Sequence, residues 1–157
     1  MAARPDITSP IWDLEHRIFY RFSLLVGRHV RYFSTHKIKR YGLSTQSWLI
    51  LTVIGRFAPI SPSELADRTS VRRDRISRIL DLLVKQGFVA RHLSNRDRRR
   101  LALTLTAKGR KVCDKLEIVA RQIEVEVSRR LTKLQRKALS DILSTIEAEL
   151  DIVLKKL

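Results

Sequence analysis

The sequence is poor in several residue types, and each shortage narrows the class of protein. Among its 157 residues there is one cysteine, Cys113, so neither an internal disulfide framework nor a cysteine-based zinc finger can form. No run approaches the ~20 apolar residues that a membrane span requires, and no signal peptide precedes the first predicted helix. We therefore expect a cytoplasmic protein without a membrane partner, built as one compact domain or two small lobes.

Acidic residues are scarce relative to basic ones. Lys and Arg number 32 against 16 Asp and Glu, which gives a formal net charge of +16. Residues 61–110 carry +8 of this charge, whereas residues 111–157 carry only +2. A local excess of positive charge indicates a polyanionic partner. The four histidines do not combine with Cys113 or with carboxylates at metal-ligand spacing, so no metal or other cofactor is expected.

Helical periodicity accounts for most of the chain, because apolar residues recur at spacings of three and four along six segments. Ser61 and Glu64 form a capping box at the start of the third segment. The expected helices run from Pro10 to about Ile38, from Ser44 to near Gly55, over residues 62–68 and from Ser70 to Gly87, with two closing helices capped by Thr106 and Thr132.

Residues 88–93 and 101–105 have the alternation of half-buried strands, and they predict a hairpin with Leu101, Leu103 and Leu105 facing inward. Two short helices, a tight turn between them and a following hairpin make a helix-turn-helix with a wing. The predicted fold class is therefore mainly α within α+β, a winged helix-turn-helix with a two-stranded wing placed between N-terminal and C-terminal helices.

The exposed face of the fourth predicted helix carries the residues expected to contact DNA bases, since the N-terminal half of a recognition helix approaches base edges in the major groove. Asp74 either accepts a hydrogen bond from cytosine or holds Arg78 at i,i+4, and we favour the second role because phosphates repel a carboxylate. The alternative for the arginines is a solvated helix face. The candidate residues are Arg72, Arg73, Arg75, Ser77 and Arg78.

The predicted hairpin tip is a cluster of cations. Four like charges on one loop do not help a chain to fold, whereas a passing polyanion would supply the missing counter-charge. The candidate wing residues are Arg96, Asp97, Arg98, Arg99 and Arg100. Ser61, Ser63 and Lys108 are expected to contact DNA phosphates.

Three segments resemble the MarR family of transcriptional regulators. Residues 43–48 resemble the family's Leu-Thr-x-x-Gln entry into its second helix. Residues 76–83, followed by Gly87-Phe88-Val89, resemble its Val-Thr-Arg-x-Val-Asp-x-Leu and Gly-Leu-Val pattern. Residues 97–109 resemble its Asp-x-Arg wing motif with the Leu-Thr-x-x-Gly exit. The likeness extends over roughly residues 12–157, and Arg72 departs from it by standing where the family often has a helix-capping Ser.

The resemblance implies an obligate homodimer on double-stranded DNA with a pseudo-palindromic operator. Residues 1–42 and 108–157 would then supply dimerisation helices, and residues 43–107 the DNA-binding lobe. It also implies that Asp97 braces Arg99, so that Arg99 can enter the minor groove. Cys113 lies outside the N-terminal helix in which peroxide-sensing members carry their reactive cysteine, and an inert structural thiol is the expectation.

The resemblance further implies a site for a small aromatic or acidic effector between the dimerisation and DNA-binding layers. Tyr and Trp rings would stack on such a molecule, and an arginine would pair with its carboxylate. The alternative is that the two tryptophans are ordinary core aromatics. The candidate pocket residues are Trp12, His16, Arg17, Tyr20 and Trp48.

The predicted function is a sequence-specific transcriptional regulator, a homodimeric repressor relieved by a small ligand, and not an enzyme. One alternative is an architectural or nonspecific nucleic-acid-binding protein that has the charge but no base preference. A nucleic-acid-processing enzyme would need clustered carboxylates to hold a metal ion, and the basic half of the sequence does not group them.

Overall fold

The computed structural model describes residues 13–69, 71–93 and 101–156. The chain divides into two compact units, Met1–Leu116 and Glu117–Leu157. The expected division into residues 1–42, 43–107 and 108–157 stays a prediction. The helices are α1 (Ile18–Phe33), α2 (Thr45–Phe57), α3 (Pro62–Thr69), α4 (Arg73–Lys85), α5 (Ala107–Arg129) and α6 (Lys133–Leu154), and the strands are β1 (Val89–Leu93) and β2 (Leu101–Leu105).

The prediction of one continuous first helix is wrong. Residues Leu14–His16 form a separate 3-10 turn, and Arg17 is extended, with φ −70° and ψ 124°, before α1 begins. After Phe33 the helical path continues as a π-helical stretch and a 3-10 turn, and it ends at Gly42 in the left-handed region with φ 68°. The predicted start at Pro10 lies outside the described residues.

The helix ends in the first unit follow local signals in the sequence. Ser44 caps α2 by accepting a hydrogen bond from the Ser47 backbone N–H at 3.0 Å. The predicted end of α4 at Gly87 is confirmed, because Gly87 has φ 73° and the Phe88 N–H bonds back to the Leu83 carbonyl at 2.9 Å. This arrangement satisfies carbonyl groups of the last turn and directs the chain into the hairpin.

Apolar side chains from helices α1 to α5, from the π-helical stretch after α1 and from the hairpin form the core of the first unit. The predicted inner face of α4 is confirmed at Ile76, Leu80 and Leu83, while Ile79 is half-buried. Fully buried side chains from the other elements are Phe33, Ile38, Ile50, Leu51, Ile54, Leu65, Leu103 and Leu116. Burial of this apolar surface is the main stabilising contribution to the unit.

The hairpin is antiparallel, with Val89 opposite Leu105 and Leu93 opposite Leu101. Ile60 joins it as a single bridge, exchanging two backbone hydrogen bonds with Leu103. The expected inward alternation holds fully only at Leu103. Leu101 is 37% exposed, because it pairs with the exposed Leu93 at the outer end of the hairpin, beyond the core.

The second unit contains the C-terminal part of α5 and the whole of α6. A capping box starts α6, as predicted: the Gln135 N–H donates to Thr132 Oγ1 at 3.2 Å, and the Thr132 N–H donates to Gln135 Oε1 at 2.8 Å. The Arg136 guanidinium donates to the Ser128 and Leu131 carbonyls and so ties the turn between the helices. No described residue of α6 is buried.

The start of α5 lies directly against the root of the hairpin. The Thr106 hydroxyl donates to the Gly87 carbonyl at 2.7 Å and accepts from the Gly109 N–H at 3.0 Å, while the Thr106 N–H donates to the Phe88 carbonyl at 3.0 Å. A Cβ on Gly109 would overlap that Phe88 carbonyl oxygen. Only glycine therefore permits this approach of helix to strand.

We expect Gly109→Ala to destabilise the protein by about 1–3 kcal/mol or more, since the backbone must shift to accommodate the methyl group. Gly27→Ala is the control, because a Cβ on Gly27 of α1 meets no atom within 4 Å, and it should be neutral or stabilise by about 0.5–1 kcal/mol. Urea unfolding of both variants measures the difference. Equal stability of the two variants would contradict the assignment.

Candidate nucleic-acid interface

The third helix starts with the predicted capping box. Glu64 N–H donates to Ser61 Oγ at 3.2 Å, and Glu64 Oε2 accepts from the Ser61 N–H at 2.9 Å and from its hydroxyl at 2.7 Å. The Ser61 hydroxyl proton is thus committed to Glu64, and a phosphate contact by Ser61 stays a prediction. Ser63 lies exposed in the same turn.

The fourth helix exposes every residue predicted to contact bases: Arg72, Arg73, Arg75, Ser77 and Arg78. The Ser77 hydroxyl donates to the Arg73 carbonyl at 3.3 Å, which leaves the hydroxyl oxygen able to accept. Among the described residues, Arg73, Arg75 and Arg78 form no side-chain ion pair. This face therefore presents three cations that no carboxylate in the described part of the chain pairs with.

The predicted pairing of Asp74 with Arg78 is wrong. Asp74 Oδ1 instead lies 3.2 Å from Nε of Arg72, at the N-terminal end of α4. Side chains on a helix lean toward its N-terminus, so a short carboxylate in the first turn extends toward Arg72 and away from Arg78. The hydrogen bond from Arg72 lowers the pKa of the Asp74 carboxyl below its ordinary value.

Arg72 is the N-cap residue of α4, and its side chain makes no capping hydrogen bond. The substitution of a cation for a capping hydroxyl therefore leaves the first backbone N–H groups of α4 without a side-chain acceptor from the N-cap residue. A cleft of about 570 Å³ opens beside this end of the helix. Its lining consists of Ser44, Ser47, Arg72, Asp74, Arg75, Arg78, Ile79 and Leu82.

The hairpin is tied to the recognition helix by an ion pair that the sequence analysis did not identify. Arg91 on β1 lies with one terminal nitrogen 2.7 Å from Asp81 Oδ1 on α4. A second link joins the strands themselves, where the Thr104 hydroxyl and His92 Nε2 are 3.0 Å apart. No local pattern signals the Asp81–Arg91 pair, because it depends on the turn that carries the chain back along α4.

The hairpin tip, with Arg96, Asp97, Arg98, Arg99 and Arg100, lies outside the described residues. Its predicted contacts and the Asp97 brace stay predictions.

Lys108 lies at the root of the hairpin. Its ammonium group donates to the Gln86 carbonyl at 2.8 Å and stands 4.7 Å from the centre of the Phe88 ring. Two N–H groups of the ammonium remain for a phosphate, and that contact stays a prediction.

The structure gives a mixed account of the predicted effector pocket. Trp48 stacks on Phe33 with ring centroids 4.4 Å apart, as a core aromatic does, yet its indole N–H is buried without an acceptor among the described residues. Tyr20 is half-buried, and His16 and Arg17 are exposed. Trp12 lies outside the described residues, and the pocket stays a prediction.

Other chemistry receives little support from the described residues. Cys113 is buried, and its thiol lies 3.7 Å from the Leu51 carbonyl, which fits the structural role expected for it. Within residues 13–69, 71–93 and 101–156, no three His, Cys, Asp or Glu side chains are grouped as metal ligands. In the same ranges no helix combines the length and apolarity that crossing a bilayer demands.

Comparison with known proteins agrees with this geometry. A sequence model of the MarR family matches residues 41–100, from the end of the first helical segment to the hairpin tip. The transcriptional repressor Mb2911 of Mycobacterium bovis is 31% identical over 108 residues, which are 69% of this chain and 78% of that protein. The chain belongs to the MarR family. It is therefore a winged-helix transcriptional regulator of a DNA-binding family.

Two further comparisons show how far the likeness extends. The Escherichia coli regulator PapX is 24% identical over 102 residues, and the aligned region spans 64% of this MarR-family chain and 62% of PapX. FabT of Streptococcus pneumoniae, solved in complex with DNA, has a TM-score of 0.74 at 18% identity and covers 90% of this chain and 98% of its own. At that identity the FabT comparison shows the fold alone.

Proposed function

We propose that this MarR-family protein is a homodimeric repressor that binds a pseudo-palindromic operator and is released by a small aromatic or acidic ligand. The observation that carries the DNA-binding part is a set of exposed arginines on the N-terminal half of α4 that lack a carboxylate partner among the described residues: Arg73, Arg75 and Arg78. Arginine offers a fork that matches the two major-groove acceptors of guanine. FabT, whose fold is similar, was solved in complex with DNA, which supports DNA as the partner.

Repression is the finer part of the proposal, and it rests on the relatives' names. Mb2911 is named a repressor, whereas PapX is named only a regulator. The effector is supported by the buried indole N–H of Trp48, which a bound acid could satisfy, and by the nearby aromatic rings of His29 and Phe33. Titration of the operator complex with aromatic acids and their thioesters tests this part.

A nonspecific DNA-coating protein is the alternative, and the net charge of +16 favours it. In vitro selection of bound DNA separates the two functions. We expect one enriched palindrome, with Arg78→Ala weakening its binding by about 1–3 kcal/mol per half-site and relaxing the preference at one base pair. Lys85→Ala, at the far end of the same helix, is the control and should weaken binding to all DNA sequences alike. Selection without any enriched sequence would favour the coating protein.

The wing should add a second, shape-dependent preference. The Asp81–Arg91 pair holds β1, which leads into the wing, against α4. We expect Arg99→Ala to flatten a preference for A·T pairs under the wing, because arginine favours the negative potential of a narrow minor groove. Arg98→Ala should instead reduce the slope of log binding constant against log salt concentration by about one unit. Identical behaviour of the two variants across a salt series would make the wing a nonspecific clamp.

Dimerisation is supported by apolar surface that the single chain leaves exposed. On α1, Ile18, Leu25 and Val26 are each more than half exposed, and on α6 Ile142 and Leu154 are as well. Exposed apolar area of this extent marks protein contacts. We expect sedimentation to show a dimer at all working concentrations, with half-sites about 10 bp apart. A stable, folded monomer would overturn the proposed assembly.

A further inference from the structure

The hydrogen bond between Arg72 and Asp74 leaves the two terminal nitrogens of the arginine available to a ligand. Asp74 Oδ1 accepts from Nε of Arg72 at 3.2 Å, and the other described residues form no further bond to this guanidinium. A guanidinium is planar, so a hydrogen bond at Nε also restricts the directions that its two terminal nitrogens can take. Arg72 is 85% exposed, and those terminal nitrogens therefore face solvent.

The position of the pair places it among the groups closest to DNA. Arg72 is the N-cap residue of α4, and Asp74 lies in the first turn, where the positive end of the helix dipole favours a carboxylate. Recognition helices approach base edges with their N-terminal residues. The pair also lines the cleft that Arg75 and Arg78 line, so it belongs to the same surface as those two arginines.

A contact with phosphate does not explain Asp74. Phosphate accepts from arginine in many orientations, and a carboxylate beside the site would repel it. A bidentate guanine contact, in contrast, requires two parallel hydrogen bonds from the fork to N7 and O6, and with Nε engaged by Asp74 the two terminal nitrogens remain to make them. Holding the arginine in advance reduces the conformational entropy that such a contact loses on binding.

We propose that Arg72 contacts a guanine through its two terminal nitrogens, and that Asp74 is a positioning residue that orients Arg72 for this contact. The proposal rests on the proposed DNA-binding function and assigns the base contact expected of Arg72 to a guanine. Arg73, Arg75 and Arg78 differ from Arg72 in lacking a carboxylate partner among the described residues.

The experiment compares four proteins on one set of DNA duplexes. Wild type first defines the operator by selection, and each G·C pair of the operator is then replaced by A·T. Affinities are measured for wild type, Arg72→Lys, Asp74→Asn and Asp67→Asn. Asp67 is an exposed carboxylate of α3 without an ion pair in the described residues, so its variant gives the same change of charge without touching the arginine.

We expect Arg72→Lys to lose discrimination at one G·C pair per half-site by about 5- to 150-fold, since lysine keeps the charge but lacks the fork. The Asp74→Asn variant should discriminate about 3- to 10-fold less at the same base pair, while its affinity for unrelated DNA rises. Asp67→Asn should raise affinity for all duplexes alike. When Arg72→Lys is already present, adding Asp74→Asn should not reduce discrimination at that base pair any further, which would show that the two residues are coupled.

Two results would overturn the proposal while leaving the proposed function intact. In the first, Asp74→Asn raises the affinity for all duplexes equally, as Asp67→Asn does. In the second, Arg72→Lys leaves discrimination at every base pair unchanged. A wild-type protein that selects no sequence would overturn the proposed function, and this inference with it.

Discussion

The placement of the DNA-binding elements depends on the contact between the start of α5 and the carbonyl of Phe88. That oxygen accepts from the Thr106 N–H at 3.0 Å, and the absence of a side chain at Gly109 is what lets the helix come so close. Because Phe88 directly follows the glycine that ends α4, one junction joins the recognition helix, both strands and α5. A shift at this junction would move α4 and the hairpin relative to each other.

Electrostatics on the exposed side of α4 follow a simple arrangement. The helix carries two exposed carboxylates, Asp74 and Asp81, and each is paired with an arginine outside the helix body, Arg72 before it and Arg91 on β1. These exposed pairs contribute little to folding stability, since solvent screens them. Their consequence is geometric, because they orient two guanidinium groups. The remaining arginines of α4 have no carboxylate partner among the described residues.

Local sequence signals predicted where helices begin and end better than they predicted the contacts between elements. The capping boxes at Ser61 and Thr132 and the glycine that ends α4 are decided by neighbours within a few residues, and all three are confirmed. The continuity of the first helix was predicted wrongly, because periodicity does not detect a single extended residue such as Arg17. The partner of Asp74 was also predicted wrongly, since spacing alone does not give the direction in which a side chain leans.

The sequence by itself determined the winged-helix order, the excess of positive charge between residues 61 and 110, and which residues of α4 face outward. Those properties follow from composition and from the 3.6-residue period. Only the tertiary structure decided that Asp81 pairs with Arg91, that Lys108 bonds the end of α4, and that Gly109 must lack a side chain. Each of these joins residues brought together by chain reversals, and contacts across a reversal depend on the packing of whole elements rather than on sequence spacing.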